Sequence, residues 1–100
     1  MDLDRLELTF SGELFQWRGP APHYFISVPA DASVAIHAVA NAVTYGWGVI
    51  PVEVRLRDRA WSTSLFPKDG GYLVPIKKVV RLEERLIEGD TVEVQLVIRL

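Results

Sequence analysis

From Ile50 to Leu56 the chain alternates without interruption: Ile50, Val52, Val54 and Leu56 are apolar, with Pro51, Glu53 and Arg55 between them. The same period of two returns at the other end, where Val92, Val94, Leu96, Ile98 and Leu100 form the apolar set. Successive side chains of a strand point to opposite faces, so this pattern predicts strands with one face buried and one face wet. A helix cannot present such a pattern to a core.

The remaining alternating runs are shorter. Leu6, Leu8 and Phe10 alternate with Glu7, Thr9 and Ser11, and after Gly12 the pattern resumes over 13–18 with Phe15 and Trp17 on one face. A glycine inside a strand pattern predicts a bulge or sharp bend, which lets a sheet curl. Gly19-Pro20-Ala21-Pro22 reads as a loop. His23 to Val28 is apolar on both faces, as expected of a central strand, and Pro29 ends it. Ala60 to Phe66 is a further strand with Trp61, Thr63 and Leu65 on one face. Pro67-Lys68-Asp69-Gly70-Gly71 is a strong turn signal, because Asp-Gly and Gly-Gly tolerate positive φ. Tyr72 to Val74 reads as a short strand, and Glu88-Gly89-Asp90 as a turn.

Two segments read as helices. Asp31 is placed to cap a helix from Ala32 to about Val43, on which Ser33, His37, Asn41 and then Thr44 make one polar stripe. The rest of that helix is Ala, Val and Ile, an arc wide enough to require cover by the sheet or by another subunit. Pro75 suits a first helical position, and from Ile76 to Leu86 the wheel splits. Ile76, Val79, Val80, Leu82 and Leu86 share one arc; Lys77, Lys78, Arg81, Glu84 and Arg85 take the other. Six or seven strands with two short helices, and no recurrent crossover helix, predict a mostly β fold: a small antiparallel barrel or sandwich spanning residues 1–100 as one domain. No internal repeat or linker is visible in the residues.

Composition narrows the function classes. The net charge is −2, which argues against a general affinity for phosphate backbones and so against nucleic acid. There is no cysteine, so disulfides, thiolate metal sites and cysteine nucleophiles are excluded. No basic region followed by an apolar run opens the chain, and no apolar run approaches a membrane span; the expectation is a soluble cytoplasmic protein.

Several blocks then carry a resemblance. Gly46-Trp47-Gly48-Val49-Ile50-Pro51-Val52, Trp61-Ser62-Thr63-Ser64-Leu65-Phe66-Pro67, Tyr72-Leu73-Val74-Pro75-Ile76-Lys77, Val80-Arg81 and Glu88-Gly89-Asp90-Thr91-Val92 resemble the domain-of-unknown-function 1905 family over nearly the whole chain. The resemblance implies a double-split β-barrel, and implies no activity. More weakly, the order strand, Pro75-Ile76-Lys77, helix with Arg81, Gly89-Asp90, strand is similar to AbrB and MazE-type domains, which implies a dimer and DNA contact. Glu83, Glu84, Glu88 and Asp90 among those basic residues argue against the DNA contact.

The candidate site residues are few. Lys77, Arg81 and Arg85 follow at four-residue spacing, and with Lys78 they suit a carboxylate or phosphate. Trp47, Trp61 and Tyr72 are rings that can wall a pocket. Ser62, Thr63 and Ser64 lack the turn and the base that a nucleophile needs, so they read as ladder hydroxyls, with Ser64 kept as a ligand contact. His23 and His37 have no metal spacing, and Gly46-Trp47-Gly48 lacks the third glycine of a dinucleotide loop. No catalytic residue, metal or cofactor is expected. The reading is a non-enzymatic binding module, a homodimer, taking a small anionic or aromatic ligand at Trp47, Trp61, Ser64, Tyr72, Lys77 and Arg81. An AbrB-like regulator and a partner-binding accessory domain are the alternatives.

Overall fold

A computed structural model describes residues 4–19, 23–43 and 49–100, the side chains of 41–43 excepted. Six strands form a closed antiparallel barrel: β1 (Arg5–Trp17), β2 (His23–Ser27), β3 (Ile50–Leu56), β4 (Arg59–Lys68), β5 (Gly71–Ile76) and β6 (Thr91–Arg99). The order around the barrel is β1-β2-β5-β4-β3-β6. Helix α1 (Ala30–Val43) follows β2, and α2 (Lys78–Glu83) follows β5. Among the described residues no helix is long and apolar enough to cross a membrane.

The alternation of β3 and β6 holds as expected. Ile50, Val52, Val54 and Leu56 are buried, as are Val92, Val94, Leu96 and Ile98. They meet Phe10, Leu14, Ile26, Trp61, Leu65, Tyr72, Val74 and Ile76 from the other strands in one interior cluster. Ile36 of α1 and Val80 of α2 join that cluster.

Two long strands each serve both halves of the barrel. β1 pairs with β6 over Arg5 to Glu13, then with β2 over Leu14 to Trp17. β4 pairs with β3 over Arg59 to Leu65, then with β5 over Phe66 to Lys68. Gly12 stands where β1 changes partner. A Cβ there would lie 2.5 Å from Cγ2 of Ile26 and 2.8 Å from the carbonyl oxygen of Ser27. Only glycine lets β1 approach β2 so closely.

The chain therefore consists of two strand–strand–helix–strand units, β1-β2-α1-β3 and β4-β5-α2-β6. They are related by an approximate two-fold, because exchanging the units maps the β1–β6 ladder onto the β4–β3 ladder. The β2–β5 and β3–β6 ladders map onto themselves. No repeat is visible in the residues, yet the topology has one.

Gly12 lies inside one continuous strand, and the strands number six, the lower of the two expected counts. Other expectations need correction. Pro75 and Ile76 belong to β5, opposite Phe25 and Tyr24, and not to the second helix. That helix is only Lys78–Glu83, and of its expected apolar arc Val79 (53% exposed) and Leu82 (55%) face solvent. The first helix starts at Ala30, two residues early. Asp31 lies inside its first turn, where Oδ1 accepts the N–H of Ala32 at 2.8 Å. The barrel covers α1 through Ala32, Ile36 and Ala40, while Val34 stays 70% exposed. The polar stripe is split: Ser33 is buried and His37 exposed. Asn41 and Thr44 lie outside the described side chains.

Candidate functional site

β5 ends at Ile76, and Lys77 follows at once as the N-cap of α2 with extended backbone. β5 runs between β2 and β4; its last residue, Ile76, pairs with Tyr24 of β2, and its ladder with β4 ends at Leu73 and Phe66. α2 follows at that end. Val80 is buried beneath it, and Arg81 is half-buried with Cζ 4.1 Å from the centre of the Tyr24 ring. A guanidinium seated on a phenol ring gains cation–π attraction and keeps its N–H edge free for an acceptor.

The far end of α2 is tied to the β3–β4 turn. Arg59 donates from Nη2 to Glu83 at 2.7 Å and from Nε to Glu84 at 3.1 Å. Arg57 Nη1 donates to Glu84 Oε1 at 3.0 Å and to the Glu84 carbonyl at 3.1 Å. The hydrogen bond from Arg57, then that from Arg59, holds the Glu84 carboxyl below its ordinary value of 4.5. The Glu83 hydrogen bond, then the Glu84 one, raises Arg59 above its own ordinary value. Glu83, the last residue of α2, and Glu84 after it are thus already paired with arginines. Lys77 and Arg81 make no ion pair among the described residues.

Beneath this end of the barrel two donors are stranded. Trp61, two residues after Arg59 in β4, is buried, and its Nε1 has no hydrogen-bond partner among the described residues. Nε of Arg81 is likewise buried without one. A buried donor without an acceptor costs about 1–3 kcal/mol.

Of the residues singled out in the sequence, Trp61, Lys77 and Arg81 fall at this α2 end. Ser64 is half-buried on the outer face of β4, opposite Pro51. Tyr72 is buried at the other end of β5, four residues before Ile76 or roughly 13 Å along the strand, and it does not share a hollow with Lys77. Trp47 lies outside the described residues. Tyr24 went unselected, although its position on the inward face of an apolar strand was a usable signal.

A second feature lies on the barrel's outer surface. Phe15, Phe25 and Phe66 come from three strands with ring centroids 6.1 Å apart for the first pair and 6.3 Å for the second. Trp17 (45% exposed) carries Nζ of Lys68 at 4.0 Å from its ring centre, and Phe66 is 44% exposed. Among the described residues no group of three or more His, Cys, Asp or Glu is placed to hold a metal ion.

Residues 10–96 fit the family model described as Domain of unknown function (DUF1905). No curated protein is significantly similar to the chain.

Proposed function

The chain belongs to the DUF1905 family, and we propose that its barrel is a binding module whose α2 end takes a small organic anion, a carboxylate or phosphate. The observation that carries this reading is the pair of buried nitrogens, Trp61 Nε1 and Arg81 Nε, that lack acceptors. Lys77, exposed at the N-cap of the helix that carries Arg81, adds a positive charge with three donors. An anion accepting from these groups relieves their desolvation cost and gains charge-assisted bonds. A neutral or cationic ligand does neither.

The test is calorimetry with benzoate, citrate and inorganic phosphate, with indole fluorescence and melting temperature followed in parallel. At about 100 times Kd a bound anion raises stability by about 2.7 kcal/mol. A change of that size moves the melting point of a 100-residue domain by about 11–22 °C. The gain should vanish in Lys77→Ala/Arg81→Ala. If all three anions leave melting temperature and fluorescence unchanged, or if the double variant responds like the parent, the proposal fails.

The outer aromatic face favours a second reading, association with another copy through Phe15, Phe25, Phe66 and Trp17, since exposed aromatic clusters of this kind mark interaction surfaces. Light scattering decides it: a monomer mass at micromolar concentration removes this reading. DNA contact through the second helix draws no comparable support. That helix has six residues, and Glu83 and Glu84 lie at its C-terminal end.

A further inference from the structure

At the opposite end of β5 from Lys77, α1 faces the β4–β5 turn across an open groove of about 540 Å³. That volume lies within the range of small-molecule pockets. Ser33, Val34 and His37 line the α1 side, and Asp69, Gly70 and Gly71 line the turn side. We propose that this groove is a second site, separate from the anion site, for a small organic cation: an ammonium group on a short apolar body.

Asp69 is the carboxylate of the lining and His37 its other titratable side chain, and no lysine or arginine is among the described residues that line it. The neighbouring cation, Lys68, is turned away and lies over the Trp17 ring. Asp69 makes no ion pair among the described residues. Ser33 is buried, and its hydroxyl proton goes to the Val28 carbonyl at 3.3 Å, which leaves Oγ only lone pairs to offer. A carboxylate and a hydroxyl with its proton already placed are acceptors. An ammonium is three donors and no acceptor, the complement of that set. Val34, 70% exposed on α1, gives the body of the ligand an apolar wall.

The turn holds Asp69 in place. Asp69 (φ 51°) and Gly70 (φ 81°) are consecutive left-handed residues, the arrangement of a two-residue hairpin turn matched to the twist of its strands. The positive end of α1 already has its counter-charge in Asp31, bound to the N–H of Ala32. The charge of Asp69 is therefore left for a ligand. Ser33, His37 and Asp69 have the composition of an acyl-transfer triad without its geometry. The Ser33 proton is given to a backbone carbonyl, so no base activates the oxygen. The groove holds a ligand and does not cleave one.

Three probes of one shape test this: cyclohexylamine, cyclohexanol and cyclohexanecarboxylate, titrated while the backbone amide resonances of Gly70 and Gly71 are followed. The expected result is saturable millimolar binding of the amine and binding at least about tenfold weaker for the alcohol and the acid. Asp69→Asn keeps the turn, because asparagine tolerates positive φ, and should weaken the amine about tenfold or more. Arg81→Ala should leave amine binding intact. Equal binding of amine and alcohol would overturn the assignment. So would amine binding unaffected by Asp69→Asn, a loss in Arg81→Ala, or no saturable shift at the two glycines up to tens of millimolar.

Discussion

Replacing Gly12 by alanine puts one methyl group where β1 changes partner. That methyl would sit 2.5 Å from Cγ2 of Ile26 and 2.8 Å from the Ser27 carbonyl oxygen. Neither neighbour has an easy way out. Ile26 is fully buried, and Ser27 is a β2 residue opposite Leu73 of β5. Forcing a methylene into a well-packed site costs about 1–3 kcal/mol, and here the upper end applies because one of the clashing atoms is backbone. Against this, alanine lowers the entropy of the unfolded chain, a gain of about 0.4–1 kcal/mol. The net loss is about 2 kcal/mol, which at 4–8 °C per kcal/mol lowers the melting temperature by about 8–16 °C. Thermal unfolding followed by circular dichroism measures it. Gly71→Ala is the control: its Cβ would meet Ser33 Oγ at 3.5 Å, an ordinary contact, so its stability should stay within about 0.5 kcal/mol of the parent. A Gly12→Ala protein melting within about 3 °C of the parent would refute the close-approach argument.

Ile36→Ala empties a fully buried position on α1 and should cost about 2–5 kcal/mol in urea denaturation, while Val34→Ala, 70% exposed, should be nearly silent. Equal effects would mean that α1 is not seated by Ile36. Because the folded Glu84 carboxyl titrates below 4.5, its contribution is complete above that pH and is lost as the pH falls through the depressed value. Melting temperatures taken from pH 7 downward should therefore show parent and Glu84→Gln converging only below pH 4.5, with a small gap because the pair is solvent-screened. Trp61→Phe removes a buried donor that has no partner, so its apo stability should change by less than about 1.5 kcal/mol, although a buried aromatic is trimmed. A larger loss in a melting experiment would show that the indole N–H is satisfied in solution.

Much of the architecture can be read in the residues because period two is unambiguous where polar and apolar positions strictly alternate, as in β3 and β6. The reading fails where one local signal serves two structures. Proline is as acceptable in a strand where no ladder N–H is needed as at the start of a helix, and only the pairing of Pro75 with Phe25 places it in β5. An apolar arc on a short helix does not say which of its members reach a core; Val80 does, whereas Val79 and Leu82 do not. Lys77 and Arg81 could be chosen by spacing. The ring partner of Arg81, Tyr24, stands in the sequence only as an inward position of an apolar strand, and its contact with Arg81 is set by the β2–β5 ladder. Trp61 and Tyr72 look alike in the sequence, yet they lie at different ends of the barrel. The homodimer expectation drew on the apolar arc of α1 and on the C-terminal unit, and it is decided by the light-scattering measurement.

The exchange of strands between the two units has a consequence for how the protein is made. Thr91 follows its partner Glu13 by 78 residues, and Arg99 follows Arg5 by 94. During synthesis β1 therefore leaves the ribosome with one long edge open, and it waits for nearly the whole barrel to be translated. Ladders that close across such distances form slowly, so a nascent chain of this kind passes its early life exposed to edge-to-edge capture. Shortening that wait by moving β6 ahead of β1 through circular permutation would turn the most distant pairing in the molecule into a hairpin.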